Sequence, residues 1–416
     1  MNKKSTIFFL EPYVHISIGK AEILLWNTLN KKYVNIENDT YFSERIKKIR
    51  SKKNCGVIEL DQSILLGKGN KKTLNEIRAK YIGDIIENLK GQKPVSIYPI
   101  AKLKTDFVVN KESDSPEGKK IVHLLNEITL HLNYYADDKI REGHKQFIYS
   151  IADKSTHEAV FGQISKLISD SKNSYLYNCN VMGGNILQYK SLNNLLPVLR
   201  EHDFLKSFYF HFENFNFGLF ENHFHKYYED DKFNFNVFCF PSAIDGTKYQ
   251  EILAFNEKHD IKLNIVFLVQ SPGDLKKVTE SISNNAFEIK PYYNGNNIGF
   301  FRKYVFPSEK EILKDENDTS MKDIFAKEAF NILHFGKIYV TPHGEVYSSF
   351  HEESIGNIRD STLQELIYNA IFKRDIWLMR RNKVKPCKDC VYNFLCPPVH
   401  DYEFVMKRHN LCNVIF

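Results

Sequence analysis

The chain has 416 residues, enough for two or three domains of ordinary size whose cores need no disulfides. Its 57 Lys and Arg against 51 Asp and Glu leave a net charge of +6, and the two signs alternate along the chain, which excludes a basic nucleic-acid-binding stripe. The hydrophobic share of 43% is that of a globular protein, and no run of about 18 apolar residues is present, which excludes a helical membrane span.

The apolar run at residues 7–10 is too short for a signal peptide, so a cytoplasmic location with reduced cysteines is expected. Short strands separated by turn signals are expected at residues 7–10, 15–18, 23–27 and 33–36. Helical periodicity follows at 41–52 and 74–90, giving a small α+β module over residues 1–95. The polar segment 96–120 reads as a linker.

From residue 121 strand-like runs alternate with helical ones. Strands are expected at 128–133, 175–181, 207–212, 235–240, 263–269 and 287–292, with helices at 157–169, 192–201, 248–258 and 273–283 between them. This alternation predicts an α/β fold with a parallel sheet over residues 121–320. Six units are too few for a closed eight-stranded barrel, so a partial (βα)6 barrel is expected, with function at the C-terminal strand ends. Beyond residue 320 the pattern ends. A hairpin is expected at 337–347, turning through Pro342 to Gly344, then a helix over 362–381.

The chain closes on Cys387, Cys390, Cys396 and Cys412, spaced C-x2-C-x5-C-x15-C. The short gaps let three thiolates converge from one loop, and the distant fourth pins the tail. Four thiolates complete either a zinc or an iron–sulfur centre, and spacing alone does not separate the two. Pro386, Pro397 and Pro398 stiffen the loop. The other three cysteines, Cys55, Cys179 and Cys239, are isolated and read as inert core thiols.

The block from Cys387 to Pro398 resembles a SPASM domain, the extension of many radical SAM enzymes that modify ribosomal peptides. The resemblance implies two four-iron clusters in a full domain. Here the positions serving one of them fall near His334, on Ser349 and on His400, so one complete site is implied, a 4Fe–4S cluster on Cys387, Cys390, Cys396 and Cys412. Residues 121–320 resemble a radical SAM partial barrel. Its C-x3-C-x2-C loop is expected near 133–144, a stretch without cysteine, and its Gly-Gly-Glu-Pro signature stands as Gly183, Gly184, Asn185, Ile186. A neutral amide in place of the carboxylate cannot neutralise an ammonium group. S-adenosylmethionine is therefore not expected as a cofactor.

With Leu10 to Ser17 and Leu24 to Leu29, the chain resembles the pseudo-radical-SAM/SPASM proteins of Bacteroidales-type peptide-modification systems. Residues 1–95 resemble a PqqD-like peptide-recognition module, in which a precursor leader pairs as an added strand, and residues 321–416 a SPASM-like domain. The expected role is that of a non-catalytic scaffold or adaptor for a ribosomal precursor peptide or an active radical SAM maturase. The alternatives are a maturase using its single cluster and a zinc-stapled structural protein. Neither nucleic acid nor membrane is expected as a partner.

Two further groups carry candidate chemistry. His211, His223 and His225 with Glu213 and Glu221 form a conceivable divalent-metal set, weighed against a packed edge with solvated histidines. His131, in the first strand of the α/β region, reads as core or lumen lining. No phosphate loop and no Ser/His/Asp order are present.

Overall fold

Strand formation at the N-terminus follows from short apolar and β-branched runs broken by turns. In the computed structural model β1 (Ser5–Leu10), β2 (Val14–Ile18), β3 (Glu22–Asn27) and β4 (Tyr33–Glu37) form in that order. The structure describes residues 5–38, 40–51, 53–54, 56–60, 67–88, 118–136, 140, 142–259, 261, 263–281, 287–314, 318–409 and 412. Cys55 and most of the expected linker lie outside these residues.

β2, β3 and β4 make an antiparallel meander. β1 pairs antiparallel with β5 (Val57–Leu60) and β6 (Gly83–Asn88) in a second small sheet. Residues 74–90 therefore do not form one helix. The helix is Lys68–Ala79, burying Leu74 and Ile77. Tyr81 then turns the chain at φ 55°, and Ile85 and Ile86 pair opposite Phe8 and Ile7. Pairing two β-branched residues across an apolar strand outweighs their helical spacing.

The α/β region contributes six parallel strands: β7 (Glu127–His131), β8 (Asn178–Met182), β9 (Leu205–His211), β10 (Phe233–Cys239), β11 (Leu263–Val269) and β12 (Phe287–Pro291). They lie in sequence order, each parallel to the next. β13 (Lys337–Val340) joins the same sheet parallel to β7, and β14 (Glu345–Tyr347) and β15 (Gly356–Asn357) extend it antiparallel. The result is a nine-stranded mixed sheet. The expected hairpin is present, with Gly344 at φ +82° in its turn.

Side chains alternate between the faces of this sheet. On one face Ile128, Val181, Phe208, Val237 and Phe267 pack against helices Phe161–Asp170, Leu192–Arg200, Phe217–Phe224, Thr247–His259 and Pro272–Ser281. Helix Phe217–Phe224 was not legible as an element. Its Phe220 and Phe224 are fully buried, and Asn216 caps it by accepting the Leu219 amide at 2.9 Å.

The other, inner face begins with a polar layer. Asn180 donates to Glu127 (3.1 Å) and Thr129 (3.2 Å), Ser207 to Asn178 (3.0 Å), and Asn264 to Asn236 (3.0 Å). Toward the C-terminal strand ends the same face carries Tyr209, Phe238, Val266 and Leu268.

The helix expected over 362–381 is Leu363–Phe372. It stops because Arg374 turns out to donate to the carbonyls of Glu353 (3.0 Å) and Ser354 (2.9 Å), while Glu352 collects the Asp375 amide (2.9 Å). Among the described residues no helix is long and apolar enough to cross a membrane.

Candidate functional site

Two places carry candidate chemistry: the C-terminal ends of the parallel strands and the cysteine loop. At the strand ends the chain fills its own sheet mouth. Residues following β7 fold back over the inner face, where Tyr135 stacks on His211 with ring centroids 3.9 Å apart and planes 5° from parallel. Tyr149 meets His211 edge-on at 4.9 Å and tilts over Phe238 at 4.9 Å. His211 Nε2 lies 2.9 Å from Ser150 Oγ. Tyr135, Ile140, Tyr149, Phe238, Leu268 and Tyr292 are buried together there.

Gly183 and Gly184 follow β8 directly. A Cβ on Gly183 collides with the Asn133 side chain, and one on Gly184 with the Tyr134 carbonyl. The close backbone approach that these glycines permit is thus made to the chain's own residues 133–135. The carbonyls of Gly183, Gly184 and Asn185 also have protein donors. Ser150 donates to Gly183 (2.9 Å), Asn214 to Gly184 (3.0 Å) and Asn133 to Asn185 (2.9 Å).

His131 is 1% exposed, and neither ring nitrogen has a hydrogen-bond partner among the described residues. It meets Phe350 edge-on at 5.6 Å. Burial, with His144 nearby, pushes its pKa down to about 3, so it is neutral and lines the inner face as expected.

The histidine set is not brought together. His211 is buried at the sheet mouth rather than solvated. His223 is tied to Asn193 (2.8 Å) and the Leu187 carbonyl (3.1 Å), and His225 to the Glu221 carbonyl (3.0 Å). Cys179 and Cys239 are buried thiols, each pushed by burial up to about 12, which disfavours the thiolate.

The cysteine loop is built from alternating anchors and thiols. Val391, Tyr392, Phe394 and Leu395 bury against Leu24 and Trp26 of β3 and against Ile312 and Ile324. A single turn at Cys387–Asp389 sets the first two thiols, and the Cys396 amide bonds back to the Tyr392 carbonyl at 2.9 Å. Cys387, Cys390, Cys396 and Cys412 all line one cavity of about 320 Å³, which opens between the end of β12 and this loop. All four are free of disulfides.

Burial raises the thiol pKa of Cys387, of Cys396 and of Cys390, the last to about 11. The Arg381 guanidinium pulls Cys387 and Cys396 back down. As placed, no three His, Cys, Asp or Glu side chains among the described residues converge on a metal-holding point. The thiols share a wall, and protonated thiols have no mutual attraction that gathers them.

The donor chemistry around that wall suits thiolates. The Tyr392 amide points at Cys390 Sγ (3.4 Å), and Arg381 Nη1 at Cys387 Sγ (3.8 Å). Arg381 and Glu403 form a buried ion pair at 2.6 Å against the cavity. Neither was singled out by sequence. Arg381 lies six positions before Cys387, and nothing but tertiary structure brings Glu403 to it.

The positions near His334, Ser349 and His400 hold a histidine–aspartate network. Asp401 Oδ1 lies 3.6 Å from His334 Nε2 and 3.3 Å from His351 Nε2. Burial alone raises the Asp401 pKa, yet the imidazoles of His334, His351 and His400 hold it below the usual carboxylate range. His400 stacks on Tyr402, and burial pushes it down to about 4.

No family model matches this chain, and no curated protein matches it. Among solved structures it is similar to Streptococcus suis SuiB bound to S-adenosylmethionine, at 12% identity over 98% of this chain and 100% of that one, with a TM-score of 0.49. It is also similar to histidine-tagged anSMEcpe with bound AdoMet, at 14% identity over 65% of this chain and 84% of that one, with a TM-score of 0.40. Native anSMEcpe with bound AdoMet and Cp18Cys peptide is 15% identical over 65% of this chain and 88% of that one, with a TM-score of 0.30.

Proposed function

We propose that this chain is a non-catalytic scaffold or adaptor of the pseudo-radical-SAM/SPASM kind, acting in ribosomal peptide maturation. It holds one 4Fe–4S cluster on Cys387, Cys390, Cys396 and Cys412 and binds a precursor peptide or an active radical SAM maturase. The observation that carries the non-catalytic part is the filled sheet mouth. Tyr135 stacked on His211 and the glycine pair packed on residues 133–135 occupy the strand ends where this kind of fold does its chemistry.

Four protein thiolates would leave no iron open to substrate, so a cluster held there would serve to fix the C-terminal loop. The same loop buries Leu24 and Trp26 of the N-terminal meander. A peptide binds that meander along β4. Among the described residues this strand has a sheet neighbour on one side only, and it alternates buried Val34 and Ile36 with exposed Asn35 and Glu37. An extended peptide gains ladder hydrogen bonds from such an edge.

The test is chemical. Anaerobically reconstituted protein, given S-adenosylmethionine and a strong reductant, is expected to form no 5′-deoxyadenosine above a Cys387→Ala control. Turnover above that control overturns the non-catalytic reading.

A further inference from the structure

Resting on the cluster reading above, we propose that Arg381 is a positioning residue for the metal group. Its guanidinium stays hydrogen-bonded to the ligand sulfur of Cys387 and sets both the retention and the reduction potential of what the four cysteines hold.

One side chain reaches every segment of the site. Arg381 Nη1 lies 3.8 Å from Cys387 Sγ, in the first ligand turn. Nε donates to the Pro397 carbonyl at 2.8 Å and Nη2 to the Pro398 carbonyl at 3.0 Å, directly after the third cysteine. Nη1 also donates to the His409 carbonyl at 3.3 Å, three residues before the fourth cysteine. Cys387 Sγ donates to that same carbonyl at 3.1 Å. A planar five-donor fork can make these contacts together, and a lysine ammonium cannot.

The charge is kept in place at a cost. The side chain of Arg381 is 9% exposed and that of Glu403 1%, with 2.6 Å between them. A buried ion pair contributes little net stability over an apolar pair of similar size. Its position therefore calls for another explanation, and the thiols supply it. Glu403, which also receives the His400 amide at 2.9 Å, accepts from this same Nη1 at 2.6 Å, leaving that nitrogen's second proton to the side of the His409 carbonyl and Cys387 Sγ. Toward a neutral thiol that contact is weak. Toward a thiolate it becomes a charge-assisted hydrogen bond. Hydrogen bonds and positive charge at ligand sulfur favour the more negative, reduced state of a cluster and so raise its potential. Partners of this outer kind alter metal affinity by about 10- to 100-fold.

The experiment compares full-length wild type, Arg381→Lys, Arg381→Gln and Glu403→Gln, each reconstituted anaerobically with iron and sulfide. Two quantities are read, the rate of iron loss to a chelator and the midpoint potential by dye-mediated titration. Arg381→Gln is expected to lose iron about 10- to 100-fold faster and to shift to a more negative potential, with Arg381→Lys between it and wild type. Glu403→Gln leaves the cation uncompensated and is expected to shift to a more positive potential. Opposite signs separate a charge role from a packing role, since packing damage moves both variants the same way. If Arg381→Gln does not fold, the sign for Glu403→Gln decides alone. Wild type holding a cluster, with Glu403→Gln unshifted or shifted negative, overturns this inference and leaves the cluster reading standing. Wild type that holds no cluster overturns both.

Discussion

The amide of Lys20 donates to the carbonyl of Asp389 at 2.9 Å. This bond ties the turn of the N-terminal meander to the turn between the first and second of the four C-terminal cysteines, Cys387 and Cys390. Beside it, Gly19 sits flush on that loop, where a Cβ would stand 2.7 Å from Val391 Cγ1 and 2.9 Å from the Asp389 carbonyl oxygen. The two ends of the chain are thus packed as one body at the place where the metal group is proposed.

Gly19→Val is therefore expected to destabilise the protein by about 1–3 kcal/mol through overpacking. Gly69→Ala, a helical position with nothing within 4 Å, is expected to be neutral or to stabilise by about 0.5–1 kcal/mol. Urea midpoints at unchanged slope measure both. Equal midpoints for Gly19→Val and wild type contradict the packed contact.

Trp26 is fully buried beside Val391 and Phe394 of the same loop, stacked on Tyr33 at 6.2 Å, and its indole N–H has no hydrogen-bond partner among the described residues. Trp26→Ala is expected to cost about 3–5 kcal/mol. Trp26→Phe keeps a six-membered aromatic ring and removes the unpaired donor, whose burial costs about 1–3 kcal/mol, so it should cost less than half as much. Equilibrium unfolding of the two variants settles the comparison.

Gly184→Ala places a Cβ against the Tyr134 carbonyl and 2.7 Å from Tyr135 Cα. The expected loss is about 3 kcal/mol or more, because backbone on both sides has to move. Added S-adenosylmethionine is expected to leave the melting temperature of wild type unchanged, since a ligand raises it only in proportion to binding the native state. A concentration-dependent rise contradicts the filled sheet mouth.

Two buried imidazoles predict an acid-sensitive fold. His131 and His15 are each pushed by burial down to about 3, from an ordinary value near 6.5. Above pH 6.5 both states leave them neutral and they cost nothing. Between about pH 6.5 and 3 the unfolded chain takes up the proton and the folded chain does not, so stability falls as pH falls. His131→Leu is expected to flatten the slope of unfolding free energy against pH in that window. An unchanged slope, with the variant folded, places His131 in contact with water.

Much of the architecture was legible, and for local reasons. The apolar runs at 235–240 and 263–269 become β10 and β11 because each is bounded by turn residues and buried on both faces. The four cysteines were legible as a set through spacing, and they do line one cavity. Strand β6 was not legible, because Ile85 and Ile86 fit a helical spacing until β1 is beside them. Nor was the joining of β13 to β7, since a parallel pair between residues 127 and 337 leaves no local trace. The same holds for Tyr135 on His211 and for Arg381 with Glu403. Each is a contact between distant segments whose residue types are ordinary on their own.

Metal and acid-labile sulfide analysis of anaerobically purified protein tests most directly the proposal that Cys387, Cys390, Cys396 and Cys412 hold one iron–sulfur cluster. The expected result is a brown protein with about four irons and four sulfides per chain, lost in Cys390→Ala. One zinc per chain with no sulfide, or a colourless protein free of metal, contradicts it.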